Sequence, residues 1–427
     1  MLPVLGLILL VLIIASVPVA AALGILALSA NAIMLPAPLY RALGDIVWQN
    51  GSNFLLVAIP LFVLLGEILL RAGIATGMYD GMARWMNRLP GGLMHANIGA
   101  SALFAATSGS SVATSATIGT VALPEAEKRE YNERLFLGSI AAGGTLGILI
   151  PPSINLILYG LLTDTSVPEL YLAGFIPGVV LALVFMATIV AICAIREGYG
   201  GVPMRYSWNE RIAALPGLLP PVLLFLVVVG SIYAGLATPT EAAALGVMAA
   251  LGLAAWRGKL SLIMIRDALE GTMRTTAMIM IIILAAIFLN FVLSTLGITQ
   301  QLVQTITGFG LSPLATLMAI ILFYVILGCF METLSMLLTT APLTVPIIVA
   351  LGYDPVWFGV LMMVLLETAL ITPPVGLNLY VVQGIRKGGS MNDVMAGAMP
   401  FVIAMFVMIA LLIAFPQMAL WLPSQFY

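Results

Sequence analysis

Two apolar stretches of this chain are each broken near the middle by a proline pair with an asparagine close behind. One runs from Gly143 to Tyr159 with Pro151, Pro152 and Asn155; the other runs from Glu367 to Tyr380 with Pro373, Pro374 and Asn378. Proline lacks an N–H and blocks the carbonyl four residues back, so the pairs free the carbonyls of Gly147, Ile148, Ala369 and Leu370. Within a bilayer such groups persist only where protein, water or an ion satisfies them. A proline also suits the first position of a new helix, whose N-terminus carries partial positive charge. Freed carbonyls attract cations and fresh N-termini attract anions. Discontinuous helices at corresponding places in two halves therefore point to the binding site of a secondary transporter.

A membrane is the right solvent to assume. The chain is 62% hydrophobic and 8% charged, with mean hydropathy +1.15, far from the composition of soluble domains. At about 20 residues per crossing, the spans predicted are 2–16, 18–35, 54–71, 136–160 (broken), 170–195, 214–232, 240–256, 274–296, 356–385 (broken) and 393–415, ten in all. Two apolar stretches are left over. Residues 92–123, around Thr107, Ser108, Gly109, Ser110 and Ser111, and residues 313–351, around Glu332, Thr333 and Ser335, would strand polar groups in hydrocarbon as single helices. Each reads as a re-entrant hairpin with its tip buried in protein. The N-terminus lacks the basic region of a signal peptide and reads as retained.

Charge placement and an internal repeat give the same threading. With the N-terminus outside, all of the 16 Lys and Arg, Arg205 among them, fall on one side except Arg41, as expected if that side is cytoplasmic. Pro18 to Gly24 recurs as Pro239 to Gly246, Gly73-Ile74 as Gly297-Ile298 and Pro151-Pro152 as Pro373-Pro374, at offsets of 221 to 224. The fold class expected is an all-α polytopic membrane protein: ten crossings and two opposed hairpins in a five-plus-five inverted repeat. Residues 1–200 form the first copy, 201–213 a cytoplasmic linker and 214–427 the second. Five crossings separate the hairpins, so the first enters from the cytoplasm and the second from outside.

Four strings go beyond architecture: SGSSVATSATIG (Ser108 to Gly119), GGTLGILIPPSINLILY (Gly143 to Tyr159), ATPTEAAALG (Ala237 to Gly246) and ETALITPPVGLNLYV (Glu367 to Val381). Together they resemble the large membrane subunit of tripartite ATP-independent periplasmic (TRAP) transporters, over essentially the whole chain. The resemblance implies sodium-coupled import of an organic acid such as a sialic acid or C4-dicarboxylate, by an elevator motion, in the bacterial inner membrane. It implies two partners, a small four-helix membrane subunit and a periplasmic substrate-binding protein, with Na+ as coupling ion and no cofactor. Carried onto this sequence, it points to Ser108, Ser110, Gly144, Gly147 and Pro151 for one sodium ion. For the other it points to Glu332, Thr333, Thr368, Thr372 and Pro373. Hairpins and broken helices would move against a scaffold formed by the other spans. The alternative is a stand-alone sodium- or proton-coupled carboxylate carrier of similar fold.

Thr107, Ser111, Asn155, Ser335 and Asn378 are the candidates for substrate contact, although the asparagines would serve equally as caps for freed backbone groups. Glu67, one turn before Arg71, reads as a surface pair, and Glu241, three after Thr238, as half of a capping box. Glu332 and Glu367 have no basic residue at their predicted depth, so each carboxyl needs a proton or a cation; Glu367 would brace the broken helix. His95 and Trp85, Trp256, Trp357 and Trp421 read as interfacial. No set of nucleophile and base, metal-ligand cluster or GxxxxGK[ST] loop appears, and the net charge of −2 argues against a polyanionic partner. The chain reads neither as an enzyme nor as an ATP pump.

Overall fold

The computed structural model describes residues 2–15, 17–34, 38–202, 204 and 206–427. Arg205 and the predicted span ends Ser16 and Leu35 lie outside them. The described residues form helices and loops, without strands. The first half carries α1 (Leu2–Ile14), α2 (Val19–Met34), α3 (Leu43–Gly51), α4 (Ala58–Arg71), α5 (Ile74–Met86), α6 (Leu93–Ser108), α7 (Ser111–Lys128), α8 (Glu133–Thr145), α9 (Ile154–Thr163) and α10 (Val167–Ile195). The second carries α11 (Trp208–Tyr233), α12 (Pro239–Trp256), α13 (Leu262–Thr295), α14 (Ile298–Gly308), α15 (Pro313–Gly328), α16 (Thr333–Ala350), α17 (Pro355–Ile371), α18 (Leu377–Ile385) and α19 (Met391–Ala414). Apart from α3, the order of elements repeats: a hairpin (α6–α7, α15–α16), an interrupted helix (α8/α9, α17/α18) and a closing helix (α10, α19). Gly73 and Gly297, matched in the sequence, both take left-handed backbone at the starts of α5 and α14.

Side-chain caps mark most helix starts. Ser110, Asn132, Ser153, Ser166 and Ser261 each accept a bond from an N–H two or three residues on, replacing a partner the first turn lacks. Thr238 and Glu241 form the expected capping box, and Ser207 with Glu210 forms another. The Ser207 box starts α11 at 208 rather than 214. The Ser261 cap starts α13 at 262 rather than 274. In both cases the helix runs on through a charged segment that hydropathy alone excludes. Among the described residues seven helices are long and apolar enough to cross a membrane by themselves; the interrupted pairs are not among them, because each break leaves two short pieces.

The helices pack in two groups. One joins α4 to α12 and α13, α2 to α13, and α11 to α5 and α12; the other joins both hairpins, both interrupted helices, α10 and α19. Helices α10 and α19 therefore side with the broken helices and not with the remaining spans as expected. The reason is the crossing of α19 over α8. A Cβ on Gly138 would overlap the carbonyl of Gly397, and one on Gly397 would overlap the carbonyl of Arg134, so the two backbones touch where side chains are absent. Nearby, Arg386 at the end of α18 reaches Glu133 of α8 at 2.5 Å, and Arg134 of α8 reaches Asp393 of α19 at 2.9 Å.

Two residues read as interfacial are interior. Trp357 is 2% exposed and donates its indole N–H to the Leu412 carbonyl at 3.0 Å. His95 is fully buried, with Nε2 at 2.7 Å from the Pro90 carbonyl. Each side chain finds a carbonyl inside the fold, which proximity to a span end does not reveal.

Candidate functional site

Hairpin α6–α7 turns on two residues. Gly109 takes φ +60°, and extended Ser110 caps α7 by accepting the Ala113 N–H at 3.4 Å. Thr114 Oγ1 donates to the Ser110 carbonyl at 2.7 Å and lies 3.2 Å from Ser108 Oγ, tying the two serines together. The sequence reading passes over Thr114, although its place four residues after Ser110 puts it on the same face.

This tip rests on the first break. Ser111 Oγ donates to the Thr145 carbonyl at 3.1 Å. A Cβ on Gly147 would come within 2.7 Å of the Ser110 backbone, and one on Gly144 would overlap the Ser115 hydroxyl. Ser108, Ser110, Gly144 and Gly147 are thereby gathered in one place because two glycines let a hairpin approach a helix backbone. Pro151 follows, buried, its bond to Pro152 cis. The Ile148 carbonyl, one of those freed by the prolines, accepts from Ser153 Oγ.

The freed N–H of Leu149 finds its partner in the other half of the chain. Glu367, on α17 just before the second break, is fully buried, and its Oε1 accepts from Leu149 N–H at 3.1 Å. Its Oε2 has no partner among the described residues. Glu367 is a brace, and the helix it braces is the interrupted helix of the opposite half.

At the second tip Glu332 caps α16. Oε1 accepts the Leu334 N–H at 3.0 Å and the Thr333 hydroxyl at 3.1 Å; Oε2 accepts the Ser335 N–H at 3.0 Å and its hydroxyl at 3.1 Å. A carboxylate that the sequence leaves without a counterpart meets four donors at the positive end of a helix. Thr368 and Thr372 bond back along α17, to the carbonyls of Val364 and Thr368 at 2.7 and 2.6 Å, and Pro373 follows. Among the described residues no hydrogen bond joins Glu332 and Thr333 to Thr368 and Thr372.

Both tips and both breaks border one cavity of about 810 Å³. Ser108 to Ala113 reach it from the first hairpin, Glu332 to Ser335 from the second, and Ile148, Asn155, Leu370 and Leu377 from the interrupted helices; α2, α4 and α13 close the far side. Among the described residues no Lys or Arg lines it. Glu67 does, held to Arg71 by the expected ion pair. Thr107 stays outside, its hydroxyl donating to the Phe104 carbonyl at 2.8 Å.

The two asparagines, equivalent in the repeat, differ in role. Asn378 is fully buried, and its Nδ2 donates to the Ala141 carbonyl on α8 at 3.1 Å. Asn155 lines the cavity with its Nδ2 unpaired among the described residues. Asn378→Leu is therefore expected to cost about 1 kcal/mol, the worth of a typical hydrogen bond, while Asn155→Leu costs little. Thermal midpoints of the two variants check this, and equal losses would contradict it.

An all-helical, multi-pass membrane protein whose hairpin tips and helix breaks surround one interior cavity has the architecture of a secondary transporter. Residues 7–418 match the family model "Tripartite ATP-independent periplasmic transporter, DctM component". The chain belongs to that family, the large permease components of TRAP transporters. It is 35% identical to the C4-dicarboxylate TRAP transporter large permease protein DctM of Pseudomonas aeruginosa, covering 90% of each chain. It is 33% identical to the sialic acid TRAP transporter large permease protein SiaM of Vibrio cholerae, over 88% of this chain and 87% of that one. The fold is also similar to that of the YdaH transporter of Alcanivorax borkumensis, with TM-score 0.58 at 15% identity over 97% and 98% of the two chains. The DctM and SiaM relatives are transporter permease proteins, and the chain is not an enzyme.

Proposed function

We propose that this subunit imports a small organic acid together with sodium, working with a small four-helix membrane subunit and a periplasmic binding protein in the bacterial inner membrane. Its relatives named for C4-dicarboxylates and sialic acid support that substrate class. One observation carries the reading: the cavity between the tips has polar groups of both signs but no basic side chain. An anion there meets the N-termini of α7 and α16, serine hydroxyls and the Asn155 amide, all weaker than a formal charge. It also meets the carboxylates of Glu67 and Glu332. Bound cations supply the missing positive charge, so anion and sodium bind each other's complex more tightly by the same factor. Ser108, Ser110, Gly144, Gly147 and Pro151 hold one ion; Glu332, Thr333, Thr368, Thr372 and Pro373 hold the other. Substrate contacts come from Asn155, Ser111 and Ser335 at the cavity, with Thr107 and Asn378 behind them. The cavity lies between the two helix groups, so sliding one group against the other carries it across the membrane. Gly66 of α4, where a Cβ would sit 3.4 Å from the Ser108 carbonyl, is a place for such sliding.

The test is thermal stability in NaCl against KCl at constant ionic strength. A hundredfold excess over Kd adds about 2.7 kcal/mol per site. Ser110→Ala loses its cap and Glu332→Gln keeps only one of two capping oxygens, which lowers stability in both salts by up to about 2 kcal/mol. The diagnostic quantity is the difference between salts, which each variant is expected to reduce. A wild-type protein indifferent to sodium, with its small subunit present, would shift the reading to a proton-coupled carrier.

A further inference from the structure

A second cavity, of about 280 Å³, lies far from the hairpin tips, where three loops meet. Arg88 and Gly91 reach it from the loop between α5 and α6, Tyr131 from the loop between α7 and α8, and Gly198, Gly200 and Gly201 from the loop after α10. The loops are stitched to one another: Asn132 N–H donates to the Tyr199 carbonyl at 3.2 Å, Val202 N–H to the Arg129 carbonyl at 3.1 Å, and Asn87 Nδ2 to the Met204 carbonyl.

The lining has the chemistry of an anion site. Its one charged side chain is Arg88, whose guanidinium sits 5.4 Å from the Trp208 ring centroid and has no carboxylate partner among the described residues. Among the described residues no acidic side chain lines it. The N–H groups of Gly91, Gly198, Gly200 and Gly201 also have no acceptor among the described residues. Gly91, Gly198 and Gly201 take φ of +103°, +86° and +66°, left-handed backbone that glycine adopts without a Cβ penalty. Side chains are kept out: a Cβ at Gly201 would come within 2.8 Å of the Arg129 carbonyl, and one at Gly91 would overlap Ile189. A planar guanidinium with several free N–H donors suits a phosphate better than a halide.

We propose that this cavity binds a phosphate group, either free or on a lipid headgroup, independently of the transported substrate. The group would bridge the loop that leads into hairpin α6–α7 and the loop that leaves α10, both of which join the two helix groups. The surrounding arginines lie on the face that the charge bias assigns to the cytoplasm, so a lipid source would be the inner leaflet.

Cys193, a half-buried thiol on the cavity wall, serves as reporter. In full-length Cys329→Ser protein, maleimide labelling of the Cys193 peptide is followed by mass spectrometry. Sodium phosphate is compared with sodium chloride at equal sodium concentration and ionic strength. Phosphate at four times its Kd should slow labelling about fivefold, by simple occupancy. Arg88→Gln should remove the protection, Arg88→Lys should retain part of it, and Arg84→Gln, just outside the cavity, should retain all of it. Equal labelling in the two salts, or protection undiminished in Arg88→Gln, would overturn the proposal. Nanodiscs containing phosphatidylglycerol, compared with protein in lipid-free detergent and without added phosphate, separate the sources. Protection by phosphatidylglycerol identifies a headgroup, and protection only by added phosphate identifies a soluble anion.

Discussion

Glu367→Leu is expected to raise the sodium concentration needed for half-maximal stabilisation by roughly 5- to 150-fold while leaving the protein folded. The substitution removes the acceptor of the Leu149 N–H, which sits in the first break between Gly147 and Pro151. A buried N–H left without a partner costs about 1–3 kcal/mol, and each 1.4 kcal/mol is tenfold in an equilibrium constant. That cost falls on the one conformation of the break that holds Gly147 against the Ser110 backbone. Glu367→Gln keeps a carbonyl oxygen for Leu149, so its shift should stay below about threefold if the bond is worth what such bonds usually are. Sodium titrations of thermal stability distinguish the two. A leucine variant that titrates like wild type would mean that the break keeps its shape without the brace.

Gly138→Leu has the largest effect expected on the fold itself. Its Cβ would come within 1.9 Å of the Gly397 carbonyl oxygen, and neither backbone can move without displacing α8 from the first hairpin or α19 from α17. Overlap of that kind belongs to the small class of substitutions costing more than about 4 kcal/mol, most of the stability of an ordinary domain. Little monodisperse protein should survive extraction. Gly252→Ala is the matched control, since a Cβ there meets nothing within 4 Å and alanine is the better helix former by about 1 kcal/mol. Size-exclusion profiles and thermal midpoints of the pair make the comparison. Similar behaviour would show that the α8–α19 crossing can open cheaply.

Local chemistry made part of this arrangement legible in the sequence. Proline pairs announce their breaks because the lost N–H and the blocked carbonyl are properties of the residue itself. Thr238 with Glu241, and Glu67 with Arg71, could be read because both partners lie within one turn. What escaped depends on partners distant in the chain or on backbone contact. The sequence suggested a brace at Glu367 but not that its partner is Leu149, and it could not separate Asn378, which bonds α8, from Asn155, which faces the cavity. Glu332 looked destitute of partners because its four donors are its own helix's first N–H groups and hydroxyls, available only once α16 begins at Thr333. The burial of Trp357 and His95 escaped because nearness to a span end does not say whether neighbouring helices cover a side chain. The charged starts of α11 and α13 were missed because caps, not hydropathy, decide where those helices begin.

The bond from Leu149 to Glu367 also bears on how the chain is made. The two residues are 218 positions apart, so at ordinary elongation rates the ribosome adds Glu367 roughly 10–45 s after Leu149. Through that interval the nascent first half sits in the insertion machinery or the lipid with an amide that its own residues leave unpaired. The second half of the chain thus completes the first, setting the shape of a helix inserted long before.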